Sequence, residues 1–341
     1  MITFISCLAI LIIGYFVYGT YVDKNAKLSD DNQTPAVRLE DGVDYMPMPW
    51  YKVFLIQFLN IAGTGPIFGA IMGALFGPVA FLWITFGTIF AGGVHDYLSG
   101  VISMKHDGTS VSEIVGIYLG DGMKKVMRVF YGAMVVEGIV ALIWCAVTIA
   151  FFGESGVIQS ALDSFGGQSG VVSHISKELL GPIGAVLAVL GVVACPITSG
   201  DTAFRSARLT IADAFNIKQD GLLSRFKLAI PLFAVCVFLT TIDFNIIWRY
   251  FAWSNQTLAT IFLWTATVYL IKNEANYWIS LIPATFMSSV CVSYILQAPE
   301  GFRLNAMFSN GVGVVAAIVL FVLFMLNKNK FVKNKDSKNI A

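Results

Sequence analysis

The chain has 341 residues, of which 57% are hydrophobic and only 13% charged, and its mean hydropathy is +0.74. Because ordinary soluble domains carry about 25% charged residues, this composition excludes a soluble globular protein and predicts a polytopic membrane protein surrounded by lipid. The net charge of +1 argues against nucleic acid as a partner, and the five cysteines lie in apolar segments with no CxxC pair, which argues against a disulfide framework or a metal site.

Nine apolar runs are long enough to cross a bilayer, which takes about 20 residues each. The sequence therefore predicts an all-α transmembrane helix bundle of about nine spans. The first run begins at Ile2 with no positive region before it, so we expect a retained span and not a cleaved signal peptide. The runs lie near residues 2–21, 51–75, 77–99, 129–152, 179–199, 228–246, 254–271, 277–297 and 310–326.

The lysines and arginines predict the orientation. Alternate connecting segments hold 18 of the 22 basic residues, whereas the other set holds three. Since positive residues accumulate on the cytoplasmic side, we expect the N-terminus outside and the C-terminus inside. The basic segments are 22–50, 100–128, 200–227, 272–276 and 327–341.

The connecting segments indicate one membrane transporter domain over residues 1–341. Residues 22–50 are polar and proline-containing, which predicts a cytoplasmic loop, and residues 327–341 form a Lys-rich cytoplasmic tail. Residues 153–176 are rich in glycine and serine, so we expect a loose external loop there.

The second apolar run contains a polar, helix-breaking stretch, Asn60-Ile-Ala-Gly-Thr-Gly-Pro66. Proline removes a backbone donor and glycine loosens a helix, so the stretch predicts a broken span. Secondary transporters hold substrates at such breaks, which makes Asn60, Thr64 and Gly65 candidate substrate ligands. The alternative is a kink whose polar groups are satisfied by neighbouring helices.

Three ionisable residues within the apolar runs are candidates for proton or cation coupling. His95 and Asp96 lie at the end of the third run, and Glu137 lies in the fourth. Intramembrane charges are costly and usually functional, and histidine titrates near neutral pH. The alternatives are a polar end at the headgroups for His95 and Asp96, and a structural ion pair for Glu137.

A second predicted break covers residues 195–202, where Pro196 and Gly200 flank polar side chains. An anionic substrate suits a helix N-terminus near an arginine. Asp201 can cap the helix that follows with its side-chain oxygen. The alternative assigns the arginine to the positive cytoplasmic edge of the membrane. The candidate substrate ligands here are Thr198, Ser199, Asp201 and Arg205.

Asn255 and Gln256 begin the seventh run and offer uncharged donors and acceptors. These amides suit the polar groups of a small organic substrate, or they cap a helix.

No enzyme motif is present. The histidines at 95, 106 and 174 lack metal-ligand spacing, and there is no HExxH, nucleophile elbow or P-loop. The sequence therefore predicts neither an enzyme, nor a cofactor, nor a metal site.

Several stretches together resemble the carbon starvation protein A (CstA) family. The resemblance implies an inner-membrane transporter that takes up peptides or small carboxylates such as pyruvate during carbon starvation, coupled to protons or another cation. The resembling stretches are residues 34–38, 41–45, 58–73, 87–97, 107–110, 195–208 and 251–259.

One departure from the family pattern lies between Phe130 and Tyr131. In relatives, stretches like residues 124–130 and 131–144 are separated by further spans, whereas here they adjoin. The resemblance therefore implies an internally shortened member. Two hypotheses stay open: a working transporter, or a shortened membrane protein that no longer transports and acts as an interaction or remnant protein. A membrane-embedded hydrolase is a distant third.

Overall fold

The part of the chain that the computed structural model describes is entirely helical. No strand occurs among these residues, so the all-α prediction is confirmed for them. The described residues are 2–28, 33–42, 45–54, 64–120, 123, 137–153, 155–215, 217, 221–242 and 244–333.

Twelve helices are assigned within these ranges, besides a short helical segment at residues 50–54. Two of them contain a single π-helical turn, Tyr15–Gly19 in the first and Thr88–Gly92 in the fourth. The helices are α1 (Ile2–Ala26), α2 (Pro35–Arg38), α3 (Thr64–Ala74), α4 (Val79–Lys105), α5 (Val111–Leu119), α6 (Glu137–Phe152), α7 (Ser155–Ser164), α8 (Gln168–Ala214), α9 (Leu222–Leu239), α10 (Phe244–Lys272), α11 (Trp278–Gln297) and α12 (Ala306–Lys333).

Five described helical segments are long and apolar enough to span a membrane, which establishes a multi-pass membrane protein. They are α1, α4, the Gln168–Val192 part of α8, α11 and α12. A sixth results if α6 and α7, bent by 97° between Ile143–Phe152 and Gly156–Ser164, form one broken span. The predicted count of about nine and the predicted orientation stay predictions, since the second predicted span lies partly outside the described residues.

The predicted break at residues 195–202 is wrong. Within α8 the backbone leaves helical dihedral angles at Gly181 (φ 69°), and residues 195–202 are helical. Pro182 explains this position, because a proline disfavours the α conformation of the residue before it and glycine tolerates a positive φ. Prolines inside helices are accommodated elsewhere in the chain, at Pro231 in α9 and Pro283 in α11.

The loose loop expected at residues 153–176 is also wrong over its described part. Helix α7 and the start of α8 occupy most of it, and Gly166 and Gly167 turn the chain between them with φ angles of 74° and 94°. Glycine and serine content indicated a flexible segment, but Val157, Ile158, Val171 and Val172 supply apolar residues at helical spacing, three of them buried.

The chain divides into two compact units. The first comprises Met1–Thr20, Met46–Gly93 and Met134–Ala203, and in it α3 packs on α6. The second comprises Tyr21–Tyr45, Val94–Ala133 and Phe204–Ala341. In the second unit, α11 packs on both α10 and α12, and α5 packs on α10.

Hydrogen bonds between buried side chains join α10 to α11 in the second unit. The hydroxyls of Thr267 and Ser280 lie 2.9 Å apart, and the indole N–H of Trp264 donates to Ser288 Oγ at 3.0 Å. An apolar cluster of Val268, Leu281 and Phe324 packs around the same helices. This arrangement fixes α10, which carries several of the candidate site residues.

Candidate functional site

The predicted coupling residues His95 and Asp96 form a part-buried pair on α4. Nδ1 of His95 lies 2.6 Å from Oδ1 of Asp96, and their side chains are 15% and 8% exposed. The His95 ring packs against the ring of Phe262 in α10 at an interplanar angle of 74°, with 5.1 Å between the ring centroids. A carboxylate and an imidazole in hydrogen-bond contact, shielded by an aromatic ring, can exchange a proton between them.

The pair lies farther inside its helix than the sequence indicated. The apolar run ends near residue 99, but α4 continues to Lys105, which places His95 about 15 Å before the end of the helix at 1.5 Å per residue. The hydroxyl of Ser99, one turn further along, is satisfied within the helix, since it donates to the Asp96 carbonyl at 2.8 Å.

A second acidic contact lies next to the pair and was not predicted. The hydroxyl of Tyr97 donates to the carboxylate of Asp23 near the end of α1. Asp23 was assigned to the loop beginning at residue 22, although α1 continues to Ala26. The sequence did contain a sign of this contact, because Asp23 is an acidic residue within four positions of the end of the first apolar run.

Lys105 joins three elements at the end of α4. Its ammonium group donates to the carbonyl oxygens of Ala26 at 2.9 Å and Lys27 at 3.1 Å, and to the Tyr269 hydroxyl at 2.7 Å. The last carbonyls of a helix lack intrahelical partners, so this lysine caps α1 from another helix. The contact holds α1, α4 and α10 in fixed positions around Asp23 and Asp96.

Beside this cap, His106 and Tyr118 form another polar contact, with His106 Nε2 2.9 Å from the Tyr118 hydroxyl. Burial lowers the pKa of His106; the Asp107 carboxylate opposes this shift, whereas Lys105 and Lys272 reinforce it. Burial raises the pKa of Tyr118 to about 12. Both groups are therefore neutral near pH 7, and the contact acts as a structural hydrogen bond.

The predicted amides Asn255 and Gln256 lie within α10, not at its start. The helix begins at Phe244, so Asn255 is about three turns inside it and cannot be an N-cap. Asn255 and Phe262 are seven residues apart and share one face of the helix, the face that meets His95. The structure thus places Asn255 on the side of α10 that faces the coupling pair, about 10 Å along the helix from Phe262.

The other predicted ligands are described only in part. Thr64 begins α3 and Gly65 is half-buried in it, and Pro66 occupies the first turn, where proline is tolerated. Arg205 is exposed on α8 and has interaction partners. Asn60 lies outside the described residues, as do the side chains of Thr64, Glu137, Thr198, Ser199 and Asp201.

A buried carboxylate that the sequence analysis missed lies in the turn between α11 and α12. Glu300, whose side chain is 2% exposed, accepts hydrogen bonds from Arg249 Nε at 3.0 Å and from the Tyr294 hydroxyl at 2.6 Å. Burial alone would raise the pKa of Glu300, but the bonds from Tyr294 and Arg249 outweigh it and hold the pKa below its usual range. An ionised Glu300, bonded to Arg249 and Tyr294, thus holds the turn between α11 and α12 in place.

We expect Glu300→Gln to destabilise the protein at pH 7 by about 1.5–3 kcal/mol, the usual contribution of hydrogen bonds to a charged group. A depressed carboxyl pKa contributes stability above the pKa of the unfolded chain, and this contribution is lost as the pH falls through the folded value. Thermal unfolding in detergent at pH 7 and at pH 4 measures the difference. The difference in unfolding temperature between the variant and the wild type should be smaller at pH 4 than at pH 7. An equal difference at both pH values would contradict an ionised Glu300.

The sequence model described as Carbon starvation protein CstA matches residues 1–162 and 166–294 of the chain. An uncharacterised membrane protein of Haemophilus influenzae is 46% identical over 167 residues, which cover 48% of this chain and 44% of that protein. The peptide transporter CstA of Bacillus subtilis is 41% identical over 118 residues, 34% of this chain and 20% of the relative.

The pyruvate/proton symporter BtsT of Escherichia coli is 32% identical over 118 residues, 34% of this chain and 16% of the symporter. The chain therefore spans less than half the length of each of these three relatives, which fits a shortened member. The two relatives with functional names are transporters and not enzymes. No solved structure matches the chain.

Proposed function

Because the chain belongs to the carbon starvation protein CstA family, we propose that it is a secondary active transporter of the inner membrane. Its substrates are peptides or small carboxylates such as pyruvate, taken up during carbon starvation together with protons. The names of two relatives, a peptide transporter and a pyruvate/proton symporter, support this choice of substrate and coupling ion.

The proposed topology has about nine spans in one domain, residues 1–341, with the N-terminus outside and the C-terminus inside. The segment 22–50 and the Lys-rich tail 327–341 are then cytoplasmic. The alternation of basic residues supports this orientation, since cytoplasmic loops collect lysine and arginine.

The observation that carries the transport proposal is the part-buried contact between His95 and Asp96 inside α4. Ionisable groups within a span are costly unless they serve a function, and proton-coupled transport needs a group that gains and loses a proton as the path opens to each side. We assign coupling to His95, Asp96 and Glu137. The proposed substrate ligands are Asn60, Thr64, Gly65, Thr198, Ser199, Asp201, Arg205, Asn255 and Gln256.

Uptake by proteoliposomes tests the proposal. We expect labelled pyruvate or a labelled dipeptide to accumulate when the lumen is more alkaline than the medium, and accumulation to stop when an ionophore removes the gradient. Empty liposomes are the control. Accumulation that is insensitive to the gradient would exclude proton coupling while leaving transport in place.

The second candidate is a shortened family member that does not transport and acts through its membrane interactions. The low share of the relatives' length that the chain spans favours it, because absent spans expose polar surfaces to lipid. Protein that is folded by circular dichroism and yet silent with both substrates would support this candidate over the first.

A further inference from the structure

A lysine and two aromatic residues meet at one end of the spans α11 and α12. Lys328 lies three residues before the end of the α12 span, and Trp278 is the first residue of α11. The Lys328 ammonium group donates to the Tyr277 hydroxyl at 2.9 Å and lies 4.4 Å from the centroid of that ring. The Trp278 ring stacks on Tyr277, with 5.4 Å between the centroids. These residue types at the end of a span are typical of the level of the lipid headgroups.

The three side chains have hydrogen-bond donors that the described part of the chain does not use. An ammonium group has three N–H donors, and that of Lys328 donates to Tyr277. The Tyr277 hydroxyl accepts this bond, and its own proton has no acceptor among the described residues. Within the same ranges the indole N–H of Trp278 has no acceptor either, whereas those of Trp253 and Trp264 donate to α11. The cluster therefore presents several donors to a ligand that brings acceptors.

Hydrogen bonds hold the turn that carries Tyr277 in place. The backbone N–H of Asn276 donates to the Asn25 side chain of α1 at 3.1 Å, and the backbone N–H of Trp278 donates to the Asn276 side chain at 3.1 Å. The Tyr277 ring also packs against the apolar cluster between α10, α11 and α12. The donors are thus positioned before a ligand binds.

The charge at this end of the helices indicates an anionic ligand. Residues 272–278 and 327–331 contain three lysines and one carboxylate, Glu274, which leaves a net charge of +2. Glu274 has interaction partners of its own. A phosphate group carries negative charge and several acceptor oxygens, so it matches both the positive charge and the donors. Basic sites between the ends of transmembrane helices commonly receive anionic headgroups.

An exposed apolar stripe leads away from the cluster along α11. Trp278, Ile282 and Phe286 follow one another at four-residue spacing and are 41%, 63% and 54% exposed. Residues at this spacing share one face of a helix, so the stripe extends for about 12 Å along the span. Phe321 of α12 lies beside Trp278, with 6.3 Å between the ring centroids. A phospholipid, in which a phosphate is joined to acyl chains, matches this combination, whereas inorganic phosphate would not contact the stripe.

We propose that the cluster of Lys328, Tyr277 and Trp278 binds the phosphate of an anionic phospholipid, whose acyl chain lies along the stripe on α11. A zwitterionic lipid carries a cation next to its phosphate, and this cation is repelled by the positive charge of the site. The site is independent of the proposed transport residues, so a chain that does not transport binds the lipid equally well.

Native mass spectrometry of the full chain in detergent, titrated with dioleoylphosphatidylglycerol, tests this site. Dioleoylphosphatidylcholine has the same acyl chains and is the control lipid. We expect phosphatidylglycerol to bind at least about fivefold more tightly, which is the usual contribution of one lysine near an anionic surface. Equal affinities for the two lipids would overturn the proposal.

Lys328→Gln should lower the affinity for phosphatidylglycerol about fivefold, and Tyr277→Phe about threefold, because it removes one donor and keeps the ring. Lys177→Gln is the matched control, since Lys177 is exposed on α8 and its loss changes the net charge equally. Lys328→Arg keeps a charged donor and should retain most of the binding. Equal affinities of Lys328→Gln and Lys177→Gln would remove the site.

A competitor separates a lipid from a free anion. Glycerol 3-phosphate carries the phosphate and a glycerol without acyl chains, and it should fail to displace phosphatidylglycerol at equal concentration. Displacement at equal concentration would show that the phosphate alone is recognised, which would overturn the assignment to a lipid.

Discussion

Asp96→Asn should lower pH-gradient-driven uptake about a hundredfold or more, the size of effect expected when a positioned proton-transfer group is lost. Asparagine keeps the size of the side chain and can still contact His95, but it cannot bind and release a proton. Because only coupling is lost, exchange of labelled for unlabelled substrate across the membrane should persist. The measurement is uptake and exchange in the same proteoliposomes.

The matched control for this variant is Asp163→Asn. Asp163 is an exposed carboxylate on α7 that accepts a hydrogen bond from Gln159 of the same helix at 3.1 Å, so its loss should leave uptake unchanged. His95→Gln should in addition flatten the pH dependence of uptake. Wild-type uptake by Asp96→Asn would remove the pair from the coupling mechanism.

Lys105→Met should destabilise the folded protein by about 2–4 kcal/mol, because one ammonium group satisfies two helix-end carbonyls and a tyrosine hydroxyl. Methionine fills a similar volume but leaves the carbonyls of Ala26 and Lys27 without this donor. Thermal unfolding in detergent should show a lower midpoint for the variant at every pH near neutrality.

Two comparison variants separate the cap from the loss of a charge. Lys24→Met removes an exposed lysine from α1 and should change the midpoint little, as surface substitutions usually do. Lys105→Arg keeps the charge but replaces a compact ammonium with a planar group, so we expect only partial recovery. A midpoint for Lys105→Met equal to that of Lys24→Met would rule out a structural cap.

Composition and the lengths of the apolar runs predicted the membrane class and the helical fold, since these depend on the average properties of long segments. The family was predicted from the resemblance of particular short stretches. The positions of chain breaks were harder. Pro196 and Gly200 indicated a break where α8 is helical, whereas Gly181 beside Pro182 is where the backbone departs from the helix. A single proline or glycine is tolerated in a helix, but the glycine–proline pair fixes a non-helical dihedral angle.

The candidate site was predicted only in part, because the sequence identifies neighbouring residues but not contacts between distant ones. His95 and Asp96 are adjacent in sequence, so they were predicted together as one candidate site, although the side chains of adjacent helical residues do not usually face each other. Their position within α4 could not be predicted, because it depends on polar residues that extend the helix beyond the apolar run to Lys105. The contacts of Asp23 with Tyr97 and of Glu300 with Arg249 join residues 74 and 51 positions apart, which one sequence cannot pair.

Three lysines that were used only for their charge also pack beside tyrosines. Lys105, Lys272 and Lys328 belong to segments that set the predicted orientation, yet each ammonium also lies near a tyrosine ring, at 5.3, 5.1 and 4.4 Å from the centroid. Lysine stems bury readily against aromatic surfaces. Their charge was visible in the sequence, whereas their packing required the fold.

The Lys105 cap also has a consequence for biogenesis. Its acceptors lie 79 residues before it, at Ala26, and 164 residues after it, at Tyr269. At about 5–20 residues per second of synthesis, the ribosome needs roughly 8–30 s to proceed from Lys105 to Tyr269. During that interval α1 and α4 have been synthesised, but the contact of Lys105 with Tyr269 of α10 cannot yet form. A nascent chain stalled before Tyr269 therefore lacks one of the three acceptors of the Lys105 ammonium group.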